Sequence, residues 1–293
     1  MRTLENSNPI ATAVFFLCAA GIAMFSRDPV ITGLSLIGAV LLWMIQGEGG
    51  HWFLAVFLLA GTLVNPLFNH KGSMVLFVLN NNPVTLEALL YGALSSAMVV
   101  ATIYWFRSFS KIMTSDKLLY ILGSTMPKLS LILSMALRYV PLFSRQAKTV
   151  SDAQKTLGLY REENWIDNIR GKIRVFSVMV TWTLENGIIT ADSMEARGYG
   201  AGRRSFFSIY RFTLRDVLFL TGSLLLTAIS LLAMYGGDTP AVVSFYPALE
   251  VISVKNWPIK TWVSYISYGI LVFLPAVAKV GEEIKWKYLQ SKI

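Results

Sequence analysis

The sequence predicts an all-α, polytopic membrane protein with about six transmembrane helices and long amphipathic helices in the cytoplasm. Two observations lead to this fold class. Of the 293 residues, 54% are hydrophobic and 15% are charged, whereas an average soluble domain carries about 25% charged residues. The hydrophobic residues are also gathered into long uncharged blocks, and the excess positive charge lies in one central segment between them.

The apolar blocks contain one acidic residue, Glu87, and no basic residue. A helix needs roughly 17–25 apolar residues to cross the hydrocarbon core of a bilayer. The first three blocks are at the short end of this range, and the fourth and fifth fit it comfortably. The blocks are residues 10–25, 30–45, 52–68, 86–106, 217–235 and 261–278.

The central segment carries the charge that orients the chain. Residues 107–215 hold 17 Lys and Arg against 8 Asp and Glu, a balance of +9 that equals the net charge of the whole protein. Because Lys and Arg concentrate on the cytoplasmic side of membrane proteins, we expect this segment to be cytoplasmic. Four spans before it and two after it then place both termini in the cytoplasm, in a multi-pass protein of the cell (inner or plasma) membrane.

The same pattern predicts three regions. Residues 1–106 form the N-terminal transmembrane helices, residues 107–212 the basic cytoplasmic region, and residues 213–293 the C-terminal transmembrane helices with a cytoplasmic tail.

Several function classes lack their usual residues in this sequence. One cysteine excludes an internal disulfide, and two histidines leave little for a metal site. The Gly-x-x-x-x-Gly-Lys-Ser/Thr loop of nucleotide-binding proteins does not occur, so we expect neither a cofactor nor ATP hydrolysis by this chain. A basic segment between membrane spans favours the orientation effect over nucleic-acid binding. We therefore expect a non-enzymatic membrane protein that binds no nucleic acid.

Turn and cap residues delimit the N-terminal elements. Pro9 precedes the first apolar run, at a position where proline is tolerated in a helix. Asn65 and Pro66 begin the turn-rich stretch that ends the third span. Residues 74–79 are apolar but too short to cross a bilayer, and we expect a strand-like or interfacial segment there.

The central region predicts a short helix from Ser115 and then a much longer one. Pro127 suits the first turn of the long helix, which an apolar stripe carries to a glycine cap at Gly158. About 30 helical residues make a rod roughly 45 Å long. Pro141 is expected to kink it. An alternative topology would let residues 129–143 and 176–189 enter the bilayer, but Arg138 and Glu185 make this costly.

A further long helix is predicted from about residues 164–167 to Gly198. Its last turn combines Glu195, Ala196 and Arg197. Ala196 allows another backbone to come close, and the planar guanidinium of Arg197 suits bidentate pairing with a carboxylate. This end is therefore a candidate docking tip. The alternative is that Arg197 caps the carbonyls of its own helix.

Three stretches of the chain resemble the transmembrane (T) component of energy-coupling factor transporters, the CbiQ-like permease family. They are residues 65–72 (NPLFNHKG), 127–141 (PKLSLILSMALRYVP) and 191–199 (ADSMEARGY). The resemblance implies a coupling subunit of an ATP-dependent importer of vitamins or micronutrients. Its cytoplasmic coupling helices would dock on two ABC-type ATPase subunits and transmit motion to a small, membrane-embedded substrate-binding (S) subunit.

The family places one Ala-Arg-Gly motif at the end of each of two coupling helices. The second motif falls on Ala196, Arg197 and Gly198. The first falls on Thr156, Leu157 and Gly158, where the sequence departs from the family because leucine replaces arginine. Two interpretations stay open here. Either this contact is apolar, with a non-identical ATPase, or a nearby base substitutes for the arginine, for which the candidates are Lys155 and Arg161.

Two other functions compete with this one. The first is a permease of a conventional ABC importer, since Glu195 and Ala196 followed by glycines faintly resemble the loop that those permeases insert into their ATPases. The scarcity of charge within the spans argues against an internal polar pathway. The second is a membrane enzyme or an anchor for a nucleic-acid-binding domain, which would require salt-sensitive nucleic-acid binding by residues 107–215.

Overall fold

The computed structural model describes residues 7–47, 49–70, 72–79, 82–159, 165–202, 210, 212–235, 243–245, 249–251 and 257–290. The chain forms two compact units. The first, here called the transmembrane body, combines Met1–Ser115 with Tyr210–Ile293, and the second comprises Asp116–Ile209.

The described elements are almost all helical. In chain order they are α1 (Pro9–Phe25), α2 (Pro29–Ile45), α3 (His51–Phe68), β1 (Val75–Leu79), β2 (Asn82–Thr85), α4 (Leu86–Ile112), α5 (Ser115–Thr125), α6 (Pro127–Thr156), α7 (Trp165–Ala196), α8 (Leu214–Tyr235), β3 (Val243–Ser244), β4 (Glu250–Val251) and α9 (Ile259–Gln290).

The apolar helices coincide with the predicted apolar blocks. Three of them are long and apolar enough to cross a membrane, within Leu86–Ile112, Leu214–Met234 and Ile259–Gly281. Three shorter ones, α1, α2 and α3, hold 17 or 18 residues each. The all-α, polytopic membrane fold is therefore confirmed, with the short early helices as the sequence indicated.

Side-chain caps set the starts of the membrane helices. Asn8 Oδ1 accepts a hydrogen bond of 3.0 Å from Ile10 N, and Asp28 Oδ1 accepts one of 3.0 Å from Val30 N. Each of these helices then begins with a proline, whose missing N–H costs nothing in the first turn. Thr85 caps α4 in the same way by accepting from Ala88 N.

The stretch predicted to be strand-like forms one half of a β-hairpin. β1 pairs antiparallel with β2, with a bulge between Val75 and Phe77. A second two-stranded antiparallel ribbon joins β3 to β4.

An aromatic cluster fills the centre of the transmembrane body. Trp105 is fully buried and packs edge-on against Phe15 and Phe16, with ring centroids 6.1 and 6.0 Å apart. Its indole Nε1 donates to Ser35 Oγ at 2.9 Å, which satisfies the polar group of a buried tryptophan. The cluster ties α1, α2 and α4 together.

Long-range polar contacts join the ends of distant helices. Asp216 Oδ1 accepts from Asn8 N at 3.1 Å across 208 residues, and its Oδ2 accepts from Thr213 Oγ1 at 2.7 Å. The starts of α1 and α8 therefore lie together. The end of α8 meets the start of α9 through Ser230 and Ser264. α1 and α8 therefore run in the same direction, whereas α8 and α9 are antiparallel.

The second unit is built on an antiparallel pair of helices, α6 and α7, here called the helix pair. Tyr139 Oη lies 2.8 Å from Thr190 Oγ1, and the rings of Phe143 and Trp182 meet edge to face at 5.6 Å. Residues later in α6 contact residues earlier in α7, so the two helices are antiparallel.

Candidate docking tips of the long helices

The C-terminal end of α6 is closed by a two-bond cap, and residues 155–159 are called tip one. Gly158 N donates to Lys155 O at 2.9 Å, and Leu159 N donates to Gln154 O at 3.1 Å. Gly158 has a φ of +68°. This is the Schellman arrangement, in which a left-handed glycine turns the chain and the next residues satisfy the last helical carbonyls.

The C-terminal end of α7 repeats this cap bond for bond, and residues 195–199 are called tip two. Gly198 N donates to Glu195 O at 2.8 Å, and Tyr199 N donates to Met194 O at 3.0 Å. Gly198 has a φ of +81°. A side chain at either glycine would be strained in this backbone conformation, which explains why the sequence places glycine at both ends.

The matching caps pair the two tips residue by residue at a spacing of 40 positions. Thr156 corresponds to Ala196, and Leu157 corresponds to Arg197. Each member of the second pair is the last residue before the left-handed glycine. The two tips therefore share one backbone geometry and differ only in their side chains.

The side chains at both tips face solvent. Leu157 is 74% exposed. Arg197, Ala196 and Glu195 are also exposed. Within the described part of the chain, the guanidinium of Arg197 makes no hydrogen bond or ion pair. The cap is made by Gly198 and Tyr199 amides instead, so the arginine is available to a partner.

The structure places the two tips apart rather than in one site. From the contact between Tyr139 and Thr190, tip one lies about 18 residues further along α6 and tip two about seven further along α7. Because the helices are antiparallel, these distances extend in opposite directions. The tips are then separated by up to roughly 40 Å along the helix axes. They can serve two partners at once.

The other predicted residues of α6 lie along its exposed surface. Pro127 is the first residue of the helix, as expected. Arg138 and Pro141 are exposed further along. The helix runs through Pro141 without interruption. Proline in this place removes one backbone donor, and the expected kink stays a prediction.

Asn65 and Pro66 mark a close crossing of α3 and α4. Pro66 is buried in the last turn, and α3 continues beyond it to Phe68. Gly92 of α4 faces this turn. A Cβ atom on Gly92 would lie 2.7 Å from Asn65 Cβ and 3.0 Å from the carbonyl oxygen of Thr62. The carbonyl of Thr62 has no helical hydrogen-bond donor, because Pro66 lacks an N–H. Since Gly92 has no side chain, α4 can approach this carbonyl closely.

A buried carboxylate that sequence reasoning did not assign to a site organises the hairpin. Glu87 has no exposed surface. Its Oε1 accepts from Ser73 N at 3.1 Å, from Ser73 Oγ at 2.8 Å and from Met74 N at 3.0 Å. The signal was present in the sequence, since Glu87 is the only acidic residue in the apolar blocks. It anchors the chain that enters β1 to the start of α4.

The bases considered as substitutes for the missing arginine fall in two places. Lys155 takes the position at tip one that Glu195 takes at tip two, rather than the position of Arg197. Arg161 lies outside the described residues.

Comparison with known proteins identifies the family. The sequence profile of the CbiQ family, described as "Cobalt transport protein", matches residues 2–206. Two curated relatives carry the name "Energy-coupling factor transporter transmembrane protein EcfT". The one from Lacticaseibacillus paracasei is 31% identical over 107 residues, which cover 36% of this chain and 40% of the relative. The one from Listeria innocua is 28% identical over 171 residues, 54% of this chain and 64% of the relative.

A third relative, "Energy-coupling factor transporter transmembrane protein EcfT 1" from Listeria monocytogenes, is 28% identical over 102 residues, 34% of this chain and 38% of the relative. The chain thus spans between about two fifths and two thirds of the length of these relatives. The profile match extends over more than half of the chain and includes both tips. The chain belongs to the CbiQ family.

Proposed function

We propose that this protein is the coupling subunit of an ATP-dependent importer of the energy-coupling factor type, with vitamins or other micronutrients as its cargo. Two ABC-type ATPase subunits dock on the tips of the helix pair, and a small membrane-embedded subunit binds the substrate. The names of the two relatives from Lacticaseibacillus paracasei and Listeria innocua support an energy-coupling factor transporter. The substrate is selected by the partner subunit.

The observation that carries the proposal is the solvent-exposed arginine at a glycine-capped helix end, which has no hydrogen-bond or ion-pair partner among the described residues. A guanidinium without such a bond to give up loses little when it binds a carboxylate on another protein. The glycine cap holds the neighbouring backbone in one conformation, so less order has to be acquired on docking. The matching cap on α6 supplies a second docking point of the same shape.

In this proposal each of the three predicted regions has its own function. Residues 1–106 and 213–293 anchor the subunit in the cell membrane, and residues 107–212 couple it to the ATPases. The N-terminus, the coupling region and the C-terminus then face the cytoplasm, where ATP is available.

The test reverses the charge at tip two. We expect Arg197→Glu to weaken retention of an ATPase subunit by about 30-fold or more, since a desolvated charge pair broken on one side costs about 2–5 kcal/mol. Substrate uptake should fall with it. Arg145→Glu, on an exposed part of α6 away from the tips, is the matched control and should leave both properties unchanged.

Normal co-purification of both ATPases with Arg197→Glu, together with normal uptake, would contradict the role of Arg197. The partners themselves separate this proposal from its main competitor. A small membrane subunit in the purified complex supports the coupling role. A soluble substrate-binding protein would instead indicate a permease of a conventional ABC importer.

A further inference from the structure

We propose that the β-hairpin formed by β1 and β2 inserts into the interfacial layer of the lipid bilayer, with lipid on both faces of β1. The partner of this surface is the membrane rather than another protein. The interaction does not depend on the docking of ATPases at the helix tips. It concerns the apolar stretch 74–79, which the proposed coupling role does not use.

The strand β1 exposes apolar side chains on both of its faces. Phe77 and Val78 pair with Val84 and Pro83, two consecutive residues of β2, so the regular pleat directs their side chains to opposite faces. Phe77 is 53% exposed and Val78 is 62% exposed. The preceding residues 74–76 are also more than half exposed.

Exposure on both faces distinguishes lipid from a protein partner. A strand that packs on protein with one face and meets water with the other alternates between apolar and polar residues. The stretch 74–79 (MVLFVL) has no such alternation, because all of its residues are apolar. Exposed apolar patches of this kind mark sites of interaction with partners or membranes. An apolar environment on both sides of a projecting hairpin is what a bilayer supplies.

The charge of the segment agrees with contact with lipid. From residue 74 to residue 86 the sequence contains no acidic and no basic side chain. Charged groups are the most costly to bring into a bilayer, so their absence keeps insertion favourable. The polar residues of this segment are concentrated between the strands, in the three asparagines at 80–82.

The position of the hairpin places it at a membrane boundary. β2 ends at Thr85, and the next residue begins α4, which is long and apolar enough to cross a membrane. On the other side of the hairpin, α3 ends at Phe68, whose side chain is exposed. The apolar surface of the last turn of α3 therefore leads toward the hairpin. In the expected topology, this end of the transmembrane body is extracytoplasmic.

The base of the hairpin is fastened to the start of α4. Oε1 of the buried Glu87 accepts from the amides of Ser73 and Met74, and Leu86 N donates to Met74 O at 2.9 Å. A Cβ atom on Gly72 would lie 2.6 Å from Glu87 Oε2, so the chain passes close to this carboxylate. Insertion of the hairpin would therefore hold the start of α4 at a fixed depth in the membrane.

The backbone of β1 limits how deeply the hairpin can enter. Among the described residues, the sheet has two strands, so one edge of β1 is paired with β2 and the other is not. Unpaired backbone groups are costly in hydrocarbon, but headgroups and water can bond them at the interface. We therefore expect insertion by about 5–10 Å, as for other interfacial segments.

The experiment measures the contact of each face with lipid in the full-length protein. Cys18 is the only cysteine in the sequence, so Cys18→Ala gives a background for single labels. Phe77→Cys and Val78→Cys are each labelled with bimane, and the protein is reconstituted into vesicles of phosphatidylcholine and phosphatidylglycerol. Quenching is then compared for lipids that carry a spin label near the headgroup or near the end of the acyl chain.

We expect both hairpin labels to be quenched about twofold more by the shallow spin label than by the deep one. Leu225→Cys is the control for hydrocarbon, since Leu225 is exposed in the middle of the membrane helix α8, and its quenching should favour the deep label. Arg145→Cys, on an exposed part of α6, is the control for water. Its label should be quenched by aqueous iodide and by neither lipid.

A second variant tests whether apolar side chains drive the insertion. Phe77→Asp, combined with the label at Val78→Cys, should lower quenching by the shallow lipid to the level of the Arg145→Cys control. Phe77→Leu should retain it, because leucine is also apolar. Circular dichroism of each purified variant checks that the helical body is intact.

Three results would overturn the inference. Quenching of both hairpin labels by iodide alone would place the hairpin in water. Protection of one or both labels from iodide and from lipid would show that protein covers that face, and cross-linking would identify a second copy of the chain. Unchanged quenching with Phe77→Asp in a folded protein would show that apolar contact does not hold the hairpin in the membrane. None of these results bears on the proposed docking of ATPases.

Discussion

The transmembrane body and the helix pair are stabilised in different ways. The body buries large side chains such as Trp105, Tyr268 and Leu271, and it joins distant segments through buried polar groups. Over their combined length, α6 and α7 have only Gln154 and Gly171 in the buried class among the described residues. Their described mutual contacts include the Tyr139–Thr190 hydroxyl pair, the Phe143–Trp182 ring pair, and a hydrogen bond of 2.9 Å from Arg174 Nη1 to the carbonyl oxygen of Leu159, just beyond α6.

This difference shows which contacts stabilise each region. The body is stabilised mainly by contacts among its own residues, so we expect it to stay folded without other subunits. The helix pair has little interior of its own, and docking partners can supply the contacts that it lacks. Substitutions in the two regions should therefore be detected by different measurements.

The largest expected effect comes from the centre of the body. Trp105→Ala removes a fully buried aromatic side chain that packs on α1 and donates to Ser35. We expect a loss of about 3–5 kcal/mol in the free energy of unfolding. Thermal denaturation of the purified protein in detergent measures it.

The matched control is Trp52→Ala, since Trp52 is 81% exposed on α3. Its thermal midpoint should stay close to that of the unaltered protein. Equal losses in the two variants would show that the central cluster has no special part in the stability of the body.

A smaller effect is expected where α2 and α9 cross. A Cβ atom on Gly38 would clash with Cγ1 of the fully buried Val272. We expect Gly38→Ala to cost about 1–3 kcal/mol, because one of the helices must shift to accommodate the methyl group. Thermal denaturation again measures the loss.

Gly21→Ala on α1 provides the comparison, because no heavy atom lies within 4 Å of a Cβ at that position. This variant should be neutral or slightly stabilised, as alanine favours the helix over glycine. A neutral Gly38→Ala would mean that the two helices pack less tightly than described.

The smallest effect should be confined to the helix pair. Tyr139→Phe removes the hydroxyl that contacts Thr190, and such a hydrogen bond contributes about 1 kcal/mol. We expect about fivefold faster hydrogen exchange of amides in α6 and α7, with no change in the body.

Thr190→Val should produce the same increase, and the double variant should add little to either single one. Additive effects would show that the two hydroxyls act independently. A uniform rise in exchange over the whole protein would remove the distinction between the two regions.

The sequence predicted the elements whose ends depend on local residues. Pro9 and Pro127 mark helix starts, and Gly158 and Gly198 mark helix ends, because each acts on the backbone of its own turn. At the tips, the correspondence between Leu157 and Arg197 was implied by the resemblance to the CbiQ-like family. The matching hydrogen bonds then provided its structural basis.

Contacts between distant parts of the chain could not be predicted in this way. Nothing near Gly38 in the sequence indicates that Val272 lies against it, and Asp216 meets Asn8 across 208 residues. Glu87 was conspicuous as an isolated acid, but its partners Ser73 and Met74 become apparent only when the hairpin folds back. α3 ends at Phe68, as the apolar block 52–68 indicated, but the close approach of Gly92 to its last turn becomes apparent only in the structure.

The shortage of interior in α6 and α7 also has a consequence for the life of the protein in the cell. A copy without partners exposes long apolar stripes and a weakly held helix pair, the features by which quality-control proteases recognise a substrate. We expect orphan copies to be degraded quickly and assembled ones to persist. Partner supply would then set the abundance of this subunit, whatever the rate of its synthesis.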